Sequence, residues 1–285
     1  LLIKKLEVRF TSITFCHSSK DILKMLLDEC AVANVSIRTK SIISQIKPTE
    51  KGGFNLSVGG QMTHCQSLVV ASGGLSIPTL GASGFGYDIA KQFGLGLLPR
   101  SAGLVPFTFS DWVKDICETN SGLSIDVDMS VNGVSFRENL LFTHRGISGP
   151  AALQLSNYWK SGQVISINLL PDQDVRALLL KYKESNPKSL LRNLIAPLLS
   201  KGFTQSFQSR YWPQHAEIPI AEIANETLEN LASQLSNWKL KPSGTEGYRT
   251  AEVTLCGVNT DNISSKTMEC KSQPGLYFIG EVLDV

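Results

Sequence analysis

Two apolar runs that end in small residues constrain the fold of this chain more than any other feature. The first is Leu-Val-Val-Ala-Ser-Gly-Gly at 68–74, and the second is Gly-Leu-Tyr-Phe-Ile-Gly-Glu-Val-Leu-Asp-Val at 275–285. A short continuous apolar run bounded by glycine suits a buried strand of a parallel sheet, because such a strand is covered on both faces and does not alternate. Parallel strands cannot be joined by a tight turn. The chain between the two runs must therefore leave the sheet and return to it.

The segment before the first run has its own order. Residues 18–31 predict a helix, with Ser18 or Ser19 as cap and Ile22, Leu23, Leu26 and Leu27 at helical spacing. Residues 34–39 predict a short strand. From Ser41 to Cys65 the period changes to two, with Ile42, Ile43 and Ile46 in one strand and Phe54, Leu56 and Val58 in the next. Gly59-Gly60 then turns the chain into Gln61–Cys65, giving a three-stranded antiparallel meander.

Between the runs the pattern changes twice. Gly84–Phe93 predicts a helix ended by Gly94 and Gly96, and residues 103–142 alternate in short segments that predict a small antiparallel β unit or barrel. Ser148-Gly149-Pro150 opens a helix, and Val164–Leu169 is a strand. From Pro171 to about Trp238 the chain reads as helical, broken by Pro187, Pro197, Pro213 and Pro219. Strand sequence returns at Ala251–Leu255. The expected division is a first part over 1–100, a β-rich insert over 101–170, a helical insert over 171–243 and a return to the first fold over 244–285.

Composition excludes several classes. The 285 residues carry a formal charge of only +2, so the chain is not a strongly basic nucleic-acid coat, although a local basic face is open to it. No apolar run approaches the ~18 residues needed to cross a bilayer, and the start does not read as a secretory leader. None of the six cysteines forms a Cys-x-x-Cys pair and the four histidines are scattered. Reduced thiols, a cytoplasmic location and no metal site are the expectation.

Four places carry chemistry. Ala71, Ser72, Gly73 and Gly74 are small enough for a dinucleotide pyrophosphate to approach the backbone, and they equally suit an ordinary tight turn. Gly280, with Glu281 and Asp284 beside it, suits a cofactor chain crossing the backbone near acceptors for its hydroxyls, or simply a charged loop. His144 and Arg145, in the Gly-flanked stretch 143–150 at a helix start, suit an anion or a polarised carbonyl, or a surface ion pair. Between Arg176 and His215, seven cations including Lys181, Lys183 and Arg192 are interleaved with Tyr182, Phe203, Phe207, Tyr211 and Trp212. That mixture suits RNA, and also a solvated helix face over its own aromatic core.

The order of these pieces resembles the YhiN/BaiN-like flavoproteins, a family within the two-dinucleotide-binding-domain FAD enzymes. The matching segments are LVVASGGLSIPTLGASGFGYDIAKQFG, AGLVPFTF, FRENLLFTHRGISGPAALQ, ISINLLPD, GTEGYRTAEVTLCGV and GLYFIGEVLDV. The resemblance implies an α/β fold: a Rossmann-like FAD-binding domain with a β-meander, interrupted by a small barrel-like β unit and a helical insert. It implies that Ala71, Ser72, Gly73 and Gly74 line the cofactor backbone and that Ser41 and Ile42 lie near the adenine. Thr254, Gly257, Gly280, Glu281 and Asp284 would approach the ribityl chain or the ring. Family members also carry an opening Gly-x-Gly-x-x-Gly loop and a closing Gly-Gly-Tyr-Asn helix that this sequence lacks, so these 285 residues alone are expected to bind FAD weakly or not at all. Cys256 stands where the family usually has glycine, which puts the local backbone in question because cysteine avoids positive φ.

The resemblance further implies reduction of a polarised C=C bond by reduced flavin, with NAD(P)H as electron donor. Two substrates fit that chemistry: uridine in large-subunit ribosomal RNA, giving dihydrouridine, and small conjugated enones such as steroids. A non-catalytic truncated product is the third alternative. The segments lie nearer the ribosomal RNA branch, with Lys181, Lys183 and Arg192 as expected RNA contacts.

Overall fold

The computed structural model describes residues 18–284, so Cys16, His17 and Val285 lie outside the described residues. The chain divides into two units, one ending at Gln66 and one starting at Ser67.

In the first unit, α1 (Ser19–Val32) is opened by Ser18, whose side chain accepts from the Lys20 N–H while Asp21 accepts from the Ser18 N–H. Ile22, Leu23, Leu26 and Leu27 lie along α1 and are exposed. Residues 34–39 form no strand, contrary to expectation. A strand requires a hydrogen-bonded neighbour, and none pairs with this segment among the described residues. The meander forms as expected from β1 (Ile43–Pro48), β2 (Phe54–Val58) and β3 (Gln61–Cys65). Gly59 and Gly60, at φ 58° and 86°, supply the left-handed turn that matches strand twist. Phe54 and Leu56 provide the buried face.

The second unit begins with β4 (Leu68–Val70), followed by α2 (Phe85–Gln92) and β5 (Ser101–Gly103). A mixed β and helical body follows. Its first part is β6 (Phe107–Thr108), α3 (Trp112–Thr119), β7 (Ser124–Val131), β8 (Val134–Thr143), β9 (Gly146–Ser148), α4 (Gly149–Ser156) and β10 (Ile165–Asn168). Then come α5 (Val175–Ser185), α6 (Leu191–Leu199), α7 (Lys201–Tyr211) and α8 (Asn225–Ser236). The chain returns through β11 (Trp238–Leu240), β12 (Gly244–Thr245), β13 (Val253–Leu255) and β14 (Leu276–Phe278).

The seven-stranded sheet runs β11-β10-β7-β8-β9-β6-β12. Its edge strands are joined only by residues 241–243. That link reaches about 14 Å at full extension, whereas the edges of a flat sheet of this width stand about 29 Å apart. The sheet must therefore curl into a barrel. Helix α3 was not expected; Asp111 caps it by accepting from the Val113 N–H, and Val113, Ile116 and Cys117 bury its inner face.

The barrel and the helices that follow it share one core. Val127, Met129, Leu140 and Ile167 of the strands meet Leu179, Ile195, Phe203, Phe207 and Leu235 of the helices in a single buried cluster. Phe203 stands at its centre, with ring centroids 5.1 Å from Phe142, 5.6 Å from Phe207 and 5.9 Å from Trp238. The chain passes from α6 to α7 through Ser200 alone, at φ 89° and ψ 151°. Only glycine adopts that region without strain. Ser200→Gly is expected to stabilise the protein by about 1 kcal/mol: relief of about 1–3 kcal/mol of strain outweighs the few tenths lost with the serine cap. Equilibrium urea unfolding of the two proteins measures it.

Candidate functional site

The two apolar runs lie side by side. β4 and β14 pair in parallel, with Leu276 opposite Leu68, Tyr277 opposite Val69 and Phe278 opposite Val70. The Ile279 N–H continues the ladder by donating to the Val70 carbonyl at 3.1 Å. Val70, Leu276 and Phe278 are buried, while Val69 is half exposed. Both loops therefore leave the same, carboxyl end of a parallel pair, where α/β sheets bind ligands.

Thr254 and Glu281 tie these loops together. Thr254 Oγ1 accepts from the Leu75 N–H at 2.7 Å and lies 3.1 Å from Ser76 Oγ. The Thr254 N–H donates to Glu281 Oε1 at 2.7 Å. Gly74 is pressed into this junction: a Cβ there would stand 2.4 Å from Thr254 Oγ1 and 2.7 Å from Glu281 Oε1. Gly257 is equally confined, with a Cβ only 2.5 Å from the Val282 carbonyl oxygen. Thus Gly74, Thr254 and Gly257 hold the loops in place, and one oxygen of Glu281 is already occupied by the protein.

Gly73 and Gly280 differ from these. Their φ values are 70° and 76°, and a Cβ at either would meet none of the described residues within 4 Å. Open space lies over both backbones, Ala71 and Ser72 are exposed beside them, and the arrangement fits an extended phosphate–ribityl chain. Asp284 sits at the end of the second loop, where its N–H donates to the Val258 carbonyl at 3.0 Å. The thiol of Cys256 is pushed up by burial and by the neighbouring Asp284 carboxylate. Cys256 itself adopts φ 63°, so this turn keeps the left-handed backbone even without glycine.

Residues 101–253 match the family described as HI0933-like protein barrel and H2TH domain. A ribosomal RNA dihydrouridine synthase of Escherichia coli (strain K12) is 46% identical over 273 residues, covering 95% of this chain and 68% of that protein. The protein of that name from Haemophilus influenzae is 44% identical over 279 residues, with 95% and 68% covered. The chain belongs to the YhiN/BaiN-like flavoprotein family. A 3-dehydro-bile acid delta(4,6)-reductase of Clostridium scindens is 25% identical over 287 residues, covering 93% of this chain and 67% of that protein.

In this family member His144 and Arg145 form the exposed turn between β8 and β9, where Thr143 pairs with Gly146. The expected loop at a helix start is corrected here, because β9 intervenes before α4 begins at Gly149. Arg145 Nη1 lies 3.8 Å from Glu246 Oε2, and Arg249 Nη2 reaches the same oxygen at 2.5 Å. The Tyr248 carbonyl next along accepts from the Ile77 N–H at 2.8 Å, just beyond the first loop. The His-Arg turn and that loop are thus both anchored on residues 246–249.

Ser41 and Ile42 lie at the start of the meander in the first unit. Ser41 Oγ donates to the Thr39 carbonyl at 3.3 Å, and Ile42 is exposed. The basic helices match the second of their two expected arrangements, a helix face over its own aromatic core, and two of the three cations named for RNA have partners in the protein. Lys183 Nζ donates to the Ile223 carbonyl and Asn225 Oδ1, and Arg192 holds Glu217 and the Ala216 carbonyl. Phe203, Phe207 and Trp212 are buried because a helical body of this size needs their area for its core. Lys181 is exposed.

Tyr87, with Arg100 over its ring and Tyr248 and Glu281 nearby, also lies beside these loops, and no motif in the sequence marks it. The available signal was Gly86 inside a helix, which costs about 1 kcal/mol relative to alanine unless something approaches closely. A Cβ there would stand 2.2 Å from Ser72 Oγ and 2.9 Å from Val282 Cγ2.

Gly74→Ala is expected to destabilise the protein by about 1–3 kcal/mol, because its methyl group has no room; thermal unfolding checks it. Replacing Asp284 by Asn should lower the Cys256 thiol pKa, since a negative neighbour is removed. At pH 8 the thiolate fraction then rises, and iodoacetamide labels Cys256 faster in the variant, as read by peptide mass spectrometry.

Proposed function

We infer that this protein is a flavin-dependent reductase of uridine in ribosomal RNA, forming dihydrouridine with NAD(P)H as electron donor. The observation that carries the reading is the 46% and 44% identity to two ribosomal RNA dihydrouridine synthases along nearly the whole chain. The two loops at the carboxyl end of β4 and β14 support it, since Gly73 and Gly280 leave their backbones open to a cofactor.

FAD, when bound, supplies the hydride chemistry for a carbon conjugated to a carbonyl. The residues here orient and polarise. The backbone of Ala71, Ser72, Gly73, Gly74 and Gly280 would lie along the cofactor, with Glu281 and Asp284 beside its hydroxyls. Thr254 and Gly257 fix the loops. His144 and Arg145 present donors to the substrate carbonyl, where negative charge develops; one such donor is worth about 3–4 kcal/mol. A ribosomal substrate places the protein in the cytoplasm. Of the three cations, exposed Lys181 would meet RNA phosphates, while Lys183 and Arg192 hold partners within the protein.

A second reading, reduction of a small enone, rests on the 25% identity to the bile acid reductase. The two share a bound flavin and separate on two measurements made with RNA. Full-length protein purified under either reading should be yellow, and Asp284→Ala should release flavin, a loss of about 1.5–3 kcal/mol for a charge-assisted hydrogen bond. Ribosomal RNA from cells lacking the gene should be depleted in dihydrouridine; unchanged content, with no modification by purified enzyme and NAD(P)H, leaves the enone reading. Lys181→Gln should reduce the salt slope of RNA binding by a little under one, whereas Lys183→Gln acts through stability because its ammonium caps the turn before α8.

A further inference from the structure

Tyr87 carries a hydroxyl that none of the described residues pairs. The residue lies in the first turn of α2 and is only 1% exposed, yet its hydroxyl has no hydrogen-bond partner among the described residues. Burying an unpaired hydroxyl costs about 1–3 kcal/mol. Phenylalanine would fill the same volume without that cost, so packing alone does not account for tyrosine.

Its neighbours place it at the two loops. The Arg100 guanidinium lies over the ring, 4.3 Å from the centroid. Burial raises the phenol pKa; Arg100 opposes this, while Glu281 and Tyr248 add to it, so the group remains a neutral donor. The preceding residue, Gly86, packs against Ser72 of the first loop and Val282 of the second. A stacked guanidinium restrains the ring plane and with it the direction of the hydroxyl.

We propose that the Tyr87 hydroxyl donates a hydrogen bond to the flavin cofactor held between these loops, and that cofactor binding is what pairs it. This rests on the flavin reading given above. Ring carbonyls, ribityl oxygens and phosphate oxygens of that one molecule are all acceptors for a neutral phenol. Arg100 acts as a positioning residue through its stack on the ring.

The test compares wild-type and Tyr87→Phe full-length protein, both stripped of flavin. FAD is titrated into each and followed by quenching of flavin fluorescence, and the unfolding midpoint of each apoprotein is recorded. The variant should bind FAD about tenfold more weakly, the loss of one hydrogen bond, while its apoprotein unfolds at the same or a higher temperature. A lowered apoprotein midpoint with unchanged FAD affinity means that the hydroxyl is paired within the protein, and overturns the proposal. Equal affinity and equal midpoints overturn it too. Wild-type apoprotein that takes up no FAD removes the flavin reading and this assignment together; a wild type that binds FAD no better than Tyr87→Phe removes the assignment alone.

Discussion

The parallel pairing of β4 with β14 is the constraint on which the rest of the second unit depends. Their three residue pairs join positions 68–70 to 276–278, so nearly all of the unit is one long excursion whose ends are held side by side. A pairing of such sequence separation has a large closure entropy, and three short rungs do not offset it. The excursion offsets it by having a core of its own. Phe203, Phe207, Trp238 and Phe142 make the barrel and helices one body, which presents its two ends together to the strands.

The loops at these strand ends show two uses of glycine. Gly74 and Gly257 are small because protein atoms occupy the space a side chain would need, and Gly73 and Gly280 have space that none of the described residues fills. The first kind makes the junction rigid through Thr254 and Glu281. The second kind leaves its backbone uncovered. A binding site for a long flexible ligand needs both, since preorganised loops reduce the ordering cost of association.

Much of this was legible in the sequence. Ser18, the Gly59-Gly60 turn and the two apolar runs act through local chemistry, and local chemistry is what a sequence displays directly. The glycine at 86 was legible only as an oddity, because its partners Ser72 and Val282 are distant in the chain. The basic, aromatic helices left two readings open for a related reason. Composition does not distinguish a ring facing solvent from one facing a core, and Phe203, Phe207 and Trp212 face the core. Lys183 and Arg192 found acceptors in the turns that cross beneath them, which no periodicity foretells. Residues 34–39 have the makings of a strand, but a strand is a relation between segments, and among the described residues this one has no partner.

The chain crosses between the loops and the barrel twice, outward after β5 and back before β13. These crossings are bonded to each other. Val253, Thr254 and Leu255 pair with Gly103, Ala102 and Ser101, the Glu252 N–H donates to the Leu104 carbonyl at 3.2 Å, and the Glu246 N–H to the Pro106 carbonyl at 3.0 Å. Two separate tethers would let the barrel swivel. A laddered ribbon resists sliding and lateral splay, and yields mainly by flexing across its thin direction. Any opening of the barrel away from the loops is thereby confined to a single hinge axis, and because Thr254 lies in that ribbon and holds Glu281, such flexing is felt directly at the second loop.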